Sequence, residues 1–89
     1  IFMVSPEGEV ATWNSGVRRL LGYEEAEFVG RPLSVIFTPE DNKLKLPELE
    51  LATVGARGTT EDERWHVRKD GSRLYASSIV SAMRDANGE

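Results

Sequence analysis

Cysteine is absent from the chain. Without thiols there can be no disulfide, no thiolate metal site and no thiol nucleophile. A single histidine, His66, leaves any zinc site to be completed by several carboxylates. That histidine is also not flanked by the serine and carboxylate order that nucleophilic hydrolysis uses. Basic residues do not cluster: Arg18 and Arg19 are the only adjacent arginines, and the net charge is −4. Phosphate backbones are held by basic patches, so nucleic acid is not an expected partner. No apolar run approaches membrane-spanning length and no signal peptide is recognisable, so direct membrane insertion is not expected and a cytoplasmic location is. No phosphate-cradling glycine loop is present. The acidic run Glu61-Asp62-Glu63 reads as solvated charge, and nothing marks Glu61 and Glu63 as a buried acid–base pair. No residue is a candidate for catalysis.

What remains is an ordinary globular composition, 39% hydrophobic and 29% charged, in 89 residues. That length supports one domain, residues 1–89, near the lower limit for a self-sufficient core. The chain opens with Ile1-Phe2-Met3-Val4, inside an apparent strand, which leads us to expect a piece of a larger multidomain protein.

Residues 1–14 read as a hairpin turning at Pro6-Glu7-Gly8. Asn14 then caps a helix whose apolar face is Val17, Leu20 and Leu21, with Gly22 as its left-handed stop. Glu24 to Phe28 forms a second short helix ended by Gly30, with its acids at the favourable end of the dipole. Leu33, Val35, Ile36 and Phe37 form an apolar connector. Thr38 caps a helix begun by Pro39, and Pro47 opens another that runs to about Arg57, with Leu51 and Val54 paired on one face. From Thr59 the period becomes two. Trp65 and Val67 fall on one strand face, and Arg64, His66 and Arg68 on the other. Asp70-Gly71 is a hairpin turn into a long strand, Arg73 to Arg84. Between Leu74 and Met83 neither face of that strand is charged, which suggests a central position covered on both sides. Asn87-Gly88 is a second turn signal. Strands and helices segregated in this way give an α+β domain with an antiparallel sheet.

This order resembles the PAS domain family, and particular residues carry the resemblance. Trp13-Asn14 ends the second strand and caps the first helix. Gly22-Tyr23, Glu24 to Phe28, Gly30-Arg31-Pro32, Thr38-Pro39-Glu40-Asp41 and Arg68-Lys69-Asp70-Gly71-Ser72 follow at matching spacing over essentially the whole chain. Trp13, Asn14, Gly22, Gly30, Asp70 and Gly71 are thus structural motif positions. The resemblance implies a five-stranded antiparallel sheet with short helices on one face, the last strand lying between the first and fourth. That last strand is missing here, so a gap at the sheet centre is expected, to be filled by sequence after Glu89 or by a partner chain.

The resemblance further implies a sensory module that binds a small ligand or relays a signal to an effector domain in the same chain. Histidine kinases of bacterial two-component systems are the default parent. Flavin adducts and thioester-linked chromophores of the family require cysteine and are excluded. Haem-binding relatives place an axial histidine on the long helix before the third strand, and residues 47–57 contain none. His66, alternating away from Trp65 and Val67, is expected at the surface. Non-covalent flavin, held in some relatives by tryptophan and asparagine, is an alternative that would draw on Trp13, Asn14 and Trp65. The favoured expectation is no cofactor. Candidate ligand-pocket residues are Leu21, Val35, Phe37, Leu51, Val54, Trp65 and Val67. Tyr75, Ile79 and Met83 are candidates for an interaction face of a homodimer, provided that they point away from the helices. A ligand-free domain serving only dimerisation or protein interaction is the competing function.

Overall fold

The computed structural model describes residues 2–83. In chain order they form β1 (Phe2–Val4), α1 (Ser15–Leu21), α2 (Glu25–Phe28), a 3₁₀ turn (Leu33–Ile36), α3 (Pro39–Lys43), α4 (Leu46–Arg57), β2 (Thr59–Val67) and β3 (Arg73–Ala82). The helix ends follow local chemistry. Asn14 Oδ1 accepts the Val17 amide at 3.1 Å. Gly22 closes α1 at φ 82°, a value that an L side chain adopts only under strain, and donates its amide to Val17 and Arg18 carbonyls. Glu24 and Glu27 form a capping box around α2. Thr38 Oγ1 accepts from the Asp41 amide ahead of Pro39.

The strand order is β1-β3-β2. β2 and β3 pair antiparallel, with Trp65 opposite Tyr75 and Thr59 opposite Ser81. β1 lies parallel to β3, with Phe2 opposite Val80 and Val4 opposite Ala82. The fold is therefore α+β and PAS-like, with β3 central but covered on its inner face only, and its sheet is mixed, with β1 beside the end of β3 where a gap was expected. An open edge on β3 would leave a row of backbone donors and acceptors unpaired, and β1 pairs with the last three residues of that edge, Val80 to Ala82. The expected first hairpin is reduced to an isolated bridge, Val4 to Val10, around a turn with Gly8 at φ 84°, and Glu9 bridges instead to Pro32. The turn signal at Asn87-Gly88 lies outside the described residues.

The inner sheet face buries Phe2, Val4, Asp62, His66 and Val80. Phe28, Leu33, Ile36, Phe37 and Val54 from the helices and connectors complete the core, and the Phe2 and Phe28 rings meet edge-on at 5.5 Å. α4 packs on β2 and β3. The outer face leaves Trp65 52% and Tyr75 56% exposed, with Met3, Ile79 and Met83 beside them. This corrects the expected faces of β2: His66 is only 2% exposed, while Trp65 points outward. Side chains alternate strictly along a strand, so the register that turns Val80 inward fixes the orientation of every residue opposite it.

Candidate functional site: a cavity and a buried polar network

Between α1 and the inner sheet face lies a cavity of about 120 Å³. Phe2, Val17, Leu20, Leu21, Ile36, Leu74 and Ala76 supply most of its wall, and Asn14, Gly16, His66, Ser77 and Ser78 supply the remainder. α1 reaches this position because both of its ends are fixed. Asn14 caps its start. At its end, Leu20 O accepts from Arg68 Nε at 3.2 Å and Leu21 O from the Lys69 amide at 2.8 Å, which ties the helix to the β2–β3 turn. Lys69 also forms an ion pair with Glu27 of α2.

The anticipated pocket residues do not assemble as one set. Of the seven, Leu21 alone lines this cavity. Val35 packs at the edge of the core, and Phe37 is a fully packed core ring set edge-on to His66 at 5.4 Å. Leu51 and Val54 line a separate hollow of about 250 Å³ beside the Pro6–Gly8 turn. Trp65 lines an outer groove with Tyr75, Arg73 and Glu40, and Val67 is half-buried near the end of β2. The residue types considered for flavin are also dispersed. Trp13 Nε1 donates to Tyr23 O at 2.7 Å, Asn14 caps α1, and Trp65 is on the opposite face of the sheet.

Beneath the cavity lies a polar network that strand alternation alone does not reveal. His66 Nδ1 faces the Ile36 carbonyl oxygen at 2.9 Å. A carbonyl can only accept, so Nδ1 carries a proton, and Nε2 donates to the Asp62 carboxylate when the ring carries a second one. His66 Nε2 lies 3.1 Å from Asp62 Oδ1, which also accepts from Ser78 Oγ at 3.1 Å. Both ring nitrogens are thus engaged by protein oxygens. The second Asp62 oxygen lies 3.3 Å from Arg64 Nε, and so does Glu50 Oε2. Asp41 Oδ2 is 3.7 Å from Arg64 Nη1. Burial and then the adjacent Asp62 carboxylate push Glu50 up to about 8. Burial opposes the Asp62 charge too, but the hydrogen bond from His66 and the neighbouring Glu50 carboxyl outweigh it and hold Asp62 below the ordinary carboxylate value.

Tyr75, Ile79 and Met83 all project from the outer face, the orientation that the sequence left open. The Trp65 and Tyr75 rings meet there at 5.6 Å, 75° apart. Glu61 and Glu63 are exposed on the same face. Among the described residues, no group of three or more His, Cys, Asp or Glu could hold a metal ion, and no helix is long and apolar enough to cross a membrane.

Comparison with known proteins places this geometry. A family model described as a PAS domain matches residues 1–89. The chain is 38% identical over 83 residues to "Two-component system protein A" of Emericella nidulans, covering 93% of this chain and 12% of that protein. It is 27% identical over 86 residues to "Probable diguanylate cyclase DgcE" of Escherichia coli, covering 97% of this chain and 8% of that protein. The chain thus spans only a small part of either relative. Among solved structures, the PAS domain of a Colwellia psychrerythraea protein superimposes with a TM-score of 0.76 at 23% identity, over 93% of this chain and 70% of that one. A light-oxygen-voltage domain studied with a flavin analogue gives 0.66 at 28% identity, over 91% and 59%.

Proposed function

Since the chain belongs to the PAS domain family, a family of signalling sensory modules, we propose that it takes up a small organic molecule in the α1–sheet cavity and passes the resulting change to an effector domain of a longer protein. The carrying observation is the cavity of about 120 Å³ with its mostly apolar wall. An enclosed apolar cavity of about 150 Å³ is known to hold benzene or xenon; this one is smaller and partly open, with Leu20 of its wall 54% exposed, and suits a ligand of at most that size. Drug-sized ligands occupy roughly 300–1,000 Å³, which makes a flavin the weaker occupant even though one structural relative was studied with a flavin analogue. The relative from Emericella nidulans, named as a two-component system protein, favours a two-component signalling protein as the parent. Binding would act by favouring one of two packings of α1 against the sheet.

Native mass spectrometry of the purified protein, paired with its denatured mass, tests this reading. A mass excess that disappears on denaturation is expected, and it should be absent from Ala76→Leu, which fills the cavity. An excess of the same size in that variant would place the ligand elsewhere. No excess in either protein, together with no xenon or benzene uptake, would overturn the ligand reading.

A second reading draws on the outer face. Tyr75 and Ile79 on the central strand and Met83 just past its end form an exposed apolar row, with Trp65 and Met3 beside it and only serines between. A row of this kind carries no net charge and can match a second copy of itself across a two-fold axis. On this reading the domain is a homodimerisation module with no ligand.

A further inference from the structure

We propose that a proton held on Glu50 latches α4 to β2, and that losing this proton loosens α4 from the sheet. Glu50 is 6% exposed on the inner side of α4. It faces Asp62 and Arg64 from β2 and Asp41 from α3. His66 of β2 stands behind Asp62, and β3 brings only the Ser78 hydroxyl to that carboxylate. Three carboxylates therefore converge on a single guanidinium.

Arg64 Nε lies 3.3 Å from an oxygen of Glu50 and 3.3 Å from one of Asp62. It has one hydrogen and cannot serve both. Neither contact closes as an aligned hydrogen bond: both Glu50 oxygens, Asp62 Oδ2 and Arg64 Nε are buried without one. An ionised carboxylate so placed is costly, whereas a protonated carboxyl carries its own donor and can offer it to Asp62 Oδ2. Protonation therefore satisfies two orphaned groups at once and removes the excess negative charge.

The direction of the pH dependence follows. Glu50 is raised from 4.5 to about 8 in the folded chain, so across that window the folded state holds a proton that the unfolded state has released. Stability is complete below 4.5 and declines as pH rises through about 8. Asp62 acts oppositely and only at the acid end. Its other oxygen is held by His66 and Ser78 of the cavity wall, so cavity and latch meet on one carboxylate. The latch itself does not depend on any cavity ligand.

The test is denaturant unfolding of the wild-type protein and of Glu50→Gln from roughly pH 5 to 9, combined with hydrogen exchange of α4 amides corrected for the intrinsic rate. The glutamine is isosteric and keeps a donor for Asp62 at every pH. The wild-type unfolding constant should rise at least about tenfold more than that of the variant across this range, with α4 protection falling in the wild type only. Equal rises in both proteins, or α4 protection that does not change with pH, would overturn the latch. Should Glu50→Gln fail to fold, the carbon-13 titration of the Glu50 carboxyl in the wild type decides. A midpoint near 8 supports the latch, and one near the ordinary value of 4.5 refutes it.

Discussion

His66 occupies a position where simple alternation gives a surface residue, yet both of its ring nitrogens lie on buried protein oxygens. The reason is relational. A polar residue can face the core only where partners meet it, and these come from Ile36, 30 residues earlier in the chain, and from Asp62, which is itself held by Ser78. Glu50 and Asp62 are hidden in the sequence for the same cause, since a glutamate on a helix and an aspartate in an acidic run both look solvated. His66→Ala would leave Asp62 buried without its main donor and should cost about 2–3 kcal/mol, read from the urea midpoint. The acid limb should change as well. Asp62 is held below its ordinary 3.8, so it contributes stability above that pH that is lost as the pH falls below it. In His66→Ala that acid loss should be smaller, and an unaltered acid limb would show that His66 does not set the Asp62 charge.

Element boundaries were far easier to read. Asn14, Glu24 and Thr38 each begin a helix as their side chains imply, and Gly22 ends one. These signals act over three or four residues and need no tertiary partner. Packing faces are less legible in the sequence. Leu20 shares the i, i+3, i+4 pattern of α1 and lines the cavity but is 54% exposed, whereas Val17 is buried and Leu21 half-buried. Asn14→Ala removes the cap at Val17 and should cost about 1 kcal/mol. Because α1 roofs the cavity, amide exchange in residues 15–21 should rise more than exchange in α4. A uniform rise would mean that the cap acts on the whole fold and not on this helix.

At the scale of the whole molecule, the sheet order and the fate of each face decide what the surface presents. Tyr75 is 56% exposed and its hydroxyl makes a single long contact with Glu63 O at 3.4 Å, so a charge there should leave the monomer folded. If the outer face joins two copies, Tyr75→Asp should weaken the dimer at least about tenfold, measured by analytical ultracentrifugation. An unchanged monomer–dimer equilibrium would remove this row from the interface.

By itself the sequence determined what is local or compositional: the α+β fold class, its helix starts and stops, two long strands joined at Asp70-Gly71, and no chemistry that depends on cysteine. It could not determine which side of β2 faces the helices, because a period-two pattern is equally regular in either orientation. Only the pairing of β3 with both β1 and β2, together with the reach of Ile36 and Ser78 to His66 and Asp62, decided that Trp65 lies outside and His66 inside. Burial of a polar side chain depends on partners distant in sequence, and their positions exist only once the chain has folded.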